Sequence, residues 1–470
     1  MKGRQEQEAG PSGISTGALG EQRAPEPLAR KIVAALSVAL PPIFFYAILI
    51  RKASNLPIFD DYDAVLGFLN GLTQLSGFSA KASYFLASQH GEFKLFFLHA
   101  MVSLQFYLFG HVDFRMLANL ANGFVLMLAI VLWKMFLPTR KDLAARMVLF
   151  TPVSWLIFQL QYSESLDFAT PGFQHLAVLA FSLGAIHLLV RGERWAFWSA
   201  AVMLVLAVSA DGNGLLIIPI GALILTLGRR YARAAAWLAV SAACVAAYAY
   251  RYNTMQSATH AHQSIFSVAL RFRPDYVIAF IGGAASFPFQ LKAGSLSLGI
   301  LLCIFFAYMA WRGYIRKNPA VSYSVLFLLI TAIGVAGLRS DFGVANLPSR
   351  YTIYSVLFVA FAWFAVVEEF LHDRRGSYLD SGVFLAAVAV TALFSLSMDL
   401  IGFNLIGERN GELVQAMTQF EHPAAAASEP SPSPPLGALL TGRAPNLWEA
   451  HARSVLIESM RLGVYRPPQL

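Results

Sequence analysis

The sequence is short of charge. Of 470 residues, 13% are Asp, Glu, Lys or Arg, and 57% are hydrophobic. Soluble domains carry roughly 25% charged and 45–50% apolar residues. About half the usual charge cannot clothe a soluble surface of this size. The mean hydropathy of +0.57 points the same way. Lipid must be the solvent for much of the chain. Its apolar runs are long enough to span a bilayer, which predicts an all-α integral membrane protein.

Cysteine is almost absent. Cys244 and Cys303 both sit inside apolar runs and fit no CxxC or His/Cys metal spacing. That excludes a disulfide framework and a cysteine zinc site, and both read as small buried hydrophobes. No Gly-rich phosphate loop is present, so no nucleotide-sugar site is implied. No internal repeat of fixed period is present, which weighs against a repeat-built transporter. The net charge of +8 would suggest nucleic acid in a soluble chain. Here the excess of Lys and Arg in cytoplasmic loops explains it, and no nucleic-acid partner is expected.

What the sequence does have is a series of apolar runs of spanning length. They fall at 31–50, 115–137, 144–161, 173–190, 195–210, 213–228, 233–250, 294–311, 320–338, 351–370 and 379–401. Two further stretches, 93–110 and 275–291, are ambiguous. Loop charge decides them. If both crossed, the loops holding Arg140, Lys141 and Arg146, Arg191 and Arg194, and Arg229, Arg230 and Arg233 would all face outward. If both lie at the outer surface or re-enter, those loops become cytoplasmic. So do Arg312, Arg316 and Lys317, and Arg374 and Arg375. The expectation is about eleven transmembrane helices, with the N-terminus inside and the C-terminus outside.

Residues 1–30 read as a disordered cytoplasmic tail and 31–401 as the polytopic domain, with an uncleaved first helix. The first outer loop, 51–114, is expected to hold juxtamembrane amphipathic helices. Residues 402–470 form an outer tail, with an Ala/Ser/Pro linker at 423–437 and an amphipathic segment at 446–463. There Leu447, Val455, Leu456 and Met460 would share one face.

Four polar segments then collect on the outer side. "NLPIFDDYD" places Asp60, Asp61 and Asp63 within four positions. Crowded carboxylates repel, so they raise pKa values or gather a cation, which suits a general base or a metal site. The structural alternative is a solvated helix cap. "SQHGEFKLFF" carries His90, Glu92 and Lys94. In an extended segment His90 and Glu92 share a face and, with Asp60 and Asp61, would supply ligands for a divalent metal ion. A polar lead-in to an interfacial helix is the alternative.

"LQYSESLDFATPGFQH" holds Gln161, Glu164, Asp167, Gln174 and His175. Glu164 and Asp167 share a face if helical; the alternative is a wetted turn broken at Pro171-Gly172. In "GLRSDFGVANLPSRYTIYS", Arg339 and Arg350 flank a short outer loop. Arginine near bilayer depth needs an anion, and the guanidinium fork suits phosphate. Snorkelling to headgroups is the alternative. Arg115, Arg251, Arg271 and Arg273 add positive charge to the same side. "ADGNGLLIIP" reads as a tight turn at Gly212, Asn213 and Gly214.

An acidic cluster just after the first helix, in a long outer loop, resembles the GT-C superfamily of polytopic glycosyltransferases. "GEFKLFFLHAMVSLQFYLFGHVDFRMLANLANGFVL" is similar to the segment that follows in that family: a polar lead-in, an interfacial helix, "LFG", an arginine and the second span. Here those features are Lys94, Leu108-Phe109-Gly110 and Arg115. The layout resembles protein O-mannosyltransferases and the lipid A aminoarabinose transferase over residues 31–230. "SRYT", Ser349 to Thr352, is similar to a segment of bacterial GT-C-like proteins. The chain departs from the pattern in lacking a proline after Lys94 and in having Asp-Asp-Tyr for Asp-Glu.

The resemblance implies an inverting transferase in a bacterial inner membrane. It would take sugar from a polyprenyl-phosphate donor and pass it to a lipid or glycan acceptor of the cell envelope. It implies Asp60 or Asp61 as base or metal ligand, and Glu164 or Asp167 as a second acidic group. Arg350, Arg115, Lys94 and Arg339 would hold the phosphate. The competing readings are a transporter or flippase of a lipid-linked or anionic solute, and a scaffold subunit of polysaccharide assembly. A transporter needs polar groups at mid-membrane, whereas the polar groups here crowd one surface.

Overall fold

A computed structural model of the chain describes residues 28–137, 142–253, 272–286, 292–339, 347–370, 382–421 and 445–468. Residues 1–27, the expected linker 423–437, and Arg140, Lys141, Arg271, Arg374 and Arg375 lie outside the described residues.

In lipid every backbone polar group must be satisfied within its own segment, so long apolar runs become helices. The first is α1 (Leu28–Lys52). The loop after it holds α2 (Phe68–Thr73), α3 (Phe78–Ala87) and α4 (Phe96–Phe109). There follow α5 (Phe114–Met135), α6 (Leu143–Ile157), α7 (Ala177–Arg191), α8 (Arg194–Ala210), α9 (Ile217–Leu227) and α10 (Tyr231–Ala249). The chain continues through α11 (Pro274–Ile281), α12 (Lys292–Trp311), α13 (Pro319–Arg339), α14 (Thr352–Phe370), α15 (Gly382–Glu421) and α16 (Pro445–Arg461).

The chain is an all-α integral membrane protein, and among the described residues 8 helices are long and apolar enough to cross a membrane. These are α1, α5, α7 with the turns before it, α10, α12, α13, α14 and α15. The helices α6, α8 and α9, which answer to three of the expected spans, are shorter.

The helices run between two polar ends. At one, Asn55, just past α1, accepts a hydrogen bond from the backbone N–H of Phe114, which opens α5, at 2.8 Å. The chain therefore leaves α1 and enters α5 at the same end, and α4 between them does not run the length of the bundle. At the other end, buried Glu368 of α14 accepts from Leu137 N (2.9 Å), Tyr314 Oη (2.6 Å) and Asn318 Nδ2 (3.1 Å). Arg146 bonds the carbonyls of Trp133 and Phe136 there.

The segment 274–285 also returns to the end it left. Tyr250, just past α10, is tied to the first loop by Lys94, and α12 ends beside Tyr314 at the opposite pole. Helix α11 lies against the first turns of α12. A Cβ on Gly282 would strike the backbone of Ser295 and Gly299, and one on Gly299 would strike the Ile278 carbonyl. Ser295 and Gly299, four apart, permit this close crossing of backbones.

The main apolar core is centred on α5, α6, α7 and α14, with Val125, Leu132, Val153, Leu179, Leu183, Ile353 and Phe361 fully buried. A second core joins the first loop to the C-terminal segment through Leu56, Val65, Leu69, Leu98, Val464 and Tyr465. Hydrogen bonds lock that docking: Val112 N to Val464 O at 2.8 Å, Tyr465 Oη to Asn55 O at 2.6 Å, and Ser459 Oγ to Asn70 Oδ1 at 3.0 Å.

Two boundaries differ from expectation. Helix α15 continues without a break to Glu421, because nothing between 401 and 421 stops a helix; no proline occurs there. On α16 the buried face is Ala452, Leu456 and Ser459, with Val455 partly buried, while Met460 stays 37% exposed. The face turns toward Asn70, which receives the Ser459 hydroxyl and donates to Val455 O at 3.2 Å. The Leu447 side chain lies outside what is described.

Candidate functional site

The acidic cluster is placed by an unusual piece of backbone. Phe59 has φ 44°, a left-handed conformation that non-glycine residues rarely adopt. A π-helical turn, Tyr62–Gly67, follows directly. Such features concentrate at functional sites. Their effect here is to separate two adjacent carboxylates.

Asp61 turns inward and is 1% exposed. Its Oδ1 accepts from Thr170 N at 2.9 Å and Thr170 Oγ1 at 2.7 Å, and its Oδ2 from Ile58 N at 3.4 Å. Burial pushes its pKa up to about 6 against these hydrogen bonds. Asp60 turns outward, with half of its side chain accessible, and Oδ1 lies 3.4 Å from His90 Nε2. Surrounding protein opposes its ionisation. The His90 hydrogen bond and charge, with the charges of Arg350 and Arg339, outweigh that and hold it below the usual carboxylate range. Burial disfavours the His90 cation, but Asp60 more than offsets this, and the imidazole is raised. Asp63 pairs with His451 of α16 at 2.6 Å, in an exposed contact.

The arginines arrive from the start of α14 and the end of α13. Arg350 Nη1 is 3.5 Å from Glu164 Oε2, and Glu164 N donates to Ser349 Oγ at 3.2 Å. Arg339 pairs with Glu92. Thus Asp60, His90, Glu92, Glu164, Arg339 and Arg350 form one electrostatic cluster at the end where the first loop docks. Asp211, between α8 and α9, belongs to it. It accepts from Gly212 N at 2.8 Å, and burial pushes its pKa up to about 7, with Glu92 acting in the same direction.

Other expected members sit elsewhere or do something else. Lys94 is fully buried, and its ammonium donates to the carbonyls of Leu86 (2.9 Å), Ala87 (2.9 Å) and Tyr250 (3.0 Å). All three of its N–H donors are spent on backbone, so none is free for a phosphate. Asp167 pairs with Arg409 of α15, whose guanidinium lies 4.7 Å from the Phe168 ring. Burial pushes Asp167 up to about 6 against that pairing. Arg115 is exposed at the start of α5, with no ion-pair partner among the described residues.

Among the described residues no three His, Cys, Asp or Glu side chains gather to hold a metal ion. Asp60 and His90 face each other, Asp61 is enclosed by Thr170, and Glu92 turns to Arg339. Among the described residues these four donors face different partners and do not converge on one point.

Tyr354 and Tyr276 carry no sequence signal that would single them out, whereas His175 and Asn213 lie in the polar segment 160–175 and the turn 210–219 of the sequence. Buried His175, at the start of the Ala169–Arg191 span, has Nδ1 3.2 Å from Tyr354 Oη, and Asn213 Nδ2 donates to the same hydroxyl at 3.0 Å. Arg350, Arg339 and Asp60 all act on His175. Tyr276 of α11 is wholly buried, and its hydroxyl has no partner among the described residues. Tyr354 and Tyr276 read in sequence as ordinary aromatic residues of apolar helices. Asn213 read as a turn residue, and Gly212–Leu216 is indeed a tight 3-10 turn.

No protein-family model, no curated protein and no solved structure matches this chain.

Proposed function

We propose that the chain is a GT-C-type glycosyltransferase that takes a sugar from a polyprenyl-phosphate donor at the outer face of a bacterial inner membrane. Its topology would be about eleven crossings, with the N-terminus inside. The basic end, with Arg146, Arg191, Arg230, Arg233 and Lys317, would face the cytoplasm. Helix α4 leaves Leu104, Tyr107, Leu108 and Phe109 exposed, and this surface would lie in the lipid interface.

The observation that carries the reading is Asp60: an accessible carboxylate, ionised at neutral pH, in the field of two arginines at one end of an apolar bundle. Arg350 and Arg339 would hold the donor phosphate. Glu164 engages Arg350 at Nη1 and the Tyr351 side chain also bonds it; the remaining donors of its fork would serve phosphate oxygens. A bound phosphate would cancel part of the arginine charge that depresses Asp60, making it a stronger base. Asp60 would then take the proton of the acceptor hydroxyl as that oxygen bonds the sugar carbon. The bond from sugar to phosphate breaks on the opposite face, and the arginines take up the charge of the leaving phosphate. Asp61, with both oxygens engaged, would position the turn. The metal alternative has no third ligand among the described residues to support it.

The test is transfer by purified protein from a panel of polyprenyl-phosphate sugars, read as release of polyprenyl phosphate. Asp60→Asn should lower turnover at least ~100-fold, the usual weight of a positioned base. Parental turnover in that variant, or no release from any donor, would refute the assignment.

A further inference from the structure

A row of buried hydrogen-bonding groups beside the arginines is not used by the chemistry above. One tautomer of His175 gives the network a consistent polarity. Tyr354 Oη accepts from Asn213 Nδ2 at 3.0 Å, so its own hydrogen is free to point at His175 Nδ1, 3.2 Å away. An Nδ1 that accepts makes the imidazole neutral, with its hydrogen on Nε2. His175 Nε2 makes no hydrogen bond among the described residues. At the other end of the relay, Asn213 Oδ1 is buried and unpartnered. Tyr276 Oη, on a wholly buried side chain acted on by Arg339 and Arg350, is unpartnered too. The rings of Phe280, Tyr351 and Tyr354 pack together there, at 5.5 Å and 5.4 Å from Phe280.

A buried polar group left unpaired loses its hydration without a compensating bond. Two such groups and an imidazole N–H, gathered around the same arginines, point to a ligand that supplies the missing partners. The set is uncharged and contains a donor, an acceptor and a hydroxyl that can be either. That is the complement of neighbouring alcohol groups, which both give and take hydrogen bonds. A phosphate, being acceptor-only, would leave Asn213 Oδ1 unsatisfied.

We propose that His175, Asn213 and Tyr276, oriented by Tyr354, form a hydroxyl-reading subsite that binds an uncharged, polyhydroxylated sugar ring beside the arginine-bound phosphate. This rests on the phosphate reading above. A site built to hydrogen-bond hydroxyls rejects a ligand that lacks them, because its own groups are then left unpaired.

The experiment compares equilibrium binding of a polyprenyl phosphate and of its hexosyl ester to the detergent-purified full chain. The parent should bind the hexosyl ester more tightly. Tyr354→Phe should reduce that preference about 5–10-fold, one to two lost hydrogen bonds, while binding the bare phosphate as the parent does. His175→Leu should lose the preference and His175→Gln, which keeps a donor near the Nε2 position, should retain most of it. A parent that binds both lipids alike, or a Tyr354→Phe protein with undiminished preference, overturns the subsite and leaves the phosphate reading standing. A parent that binds neither lipid overturns both.

Discussion

Lys94 divides two accounts of the same loop. As a phosphate ligand it would be dispensable for folding. As the structure places it, the ammonium caps the last carbonyls of α3, Leu86 and Ala87, and ties them to Tyr250 at the end of α10. Cations at a helix C-terminus are favourable. Lys94→Met keeps the apolar stem and removes all three bonds. A hydrogen bond to a charged group contributes about 1.5–3 kcal/mol, and three that share one donor atom do not add in full. The variant also escapes the cost of burying an ammonium. The net loss expected is about 3 kcal/mol. At ~2–4 °C per kcal/mol for domains of 150–250 residues, and less for a longer chain, that is a fall of about 5 °C. The assay is thermal inactivation in detergent at one heating rate, since such unfolding is seldom reversible. Binding of polyprenyl phosphate by the protein that remains folded should match the parent. A Lys94→Met protein with the parental transition but without phosphate binding would refute the structural role and restore the ligand.

Stability should also respond to pH. Burial raises Asp61 and Asp167 to about 6 and Asp211 to about 7, from 3.8 when unfolded. Between these limits the folded state holds more protons than the unfolded, so stability falls as pH rises through 4 to 7. Asp60 acts oppositely, its contribution being lost only as pH falls through its lowered value. Transition temperatures measured from pH 4.5 to 7.5 should fall, and Asp61→Asn should flatten the part below pH 6; an unchanged slope would count against the burial of Asp61. Arg350→Gln should weaken polyprenyl-phosphate binding about 10–100-fold, the loss of one charge-assisted contact, and Arg115→Gln less than about twofold. The opposite order would exchange their roles.

Hydropathy and loop charge carry the fold further than the site. The parity of Arg and Lys between successive loops predicts that 93–110 turns back, and Asn55 meeting Phe114 gives the geometric reason. Both rest on quantities that single residues announce. The buried polar contacts that fix the opposite pole do not. Glu368 and Asn318 lie 50 residues apart and each looks like an ordinary helix-end residue. The docking of α16 on the first loop depends on Asn70 and Ser459, 389 residues apart. Nothing local in either segment names the other.

At the site, sequence brings the right residue types to one side but cannot apportion them. Asp60 and Asp61 are neighbours with one composition and one spacing, yet one is open and the other enclosed. That division is made by the left-handed Phe59 and by Thr170, neither of which draws notice in a list of charges. Lys94 shows the converse. Its place in a polar lead-in resembles a ligand position, but burial and three carbonyls turn it into a fastener. Charge marks where a site is expected because charge is expensive in lipid. Of the neutral groups that would choose a substrate, Asn213 and Tyr276 carry no such cost signal, being ordinary in turns and apolar helices, and His175 stands in sequence as one polar residue among several in its segment. They become visible only when their partners are counted and found missing. In a protein this poor in charge, the arginines and Asp60 would locate the proposed chemistry, and the unpaired hydroxyl and amide atoms beside them would carry the information about what binds there.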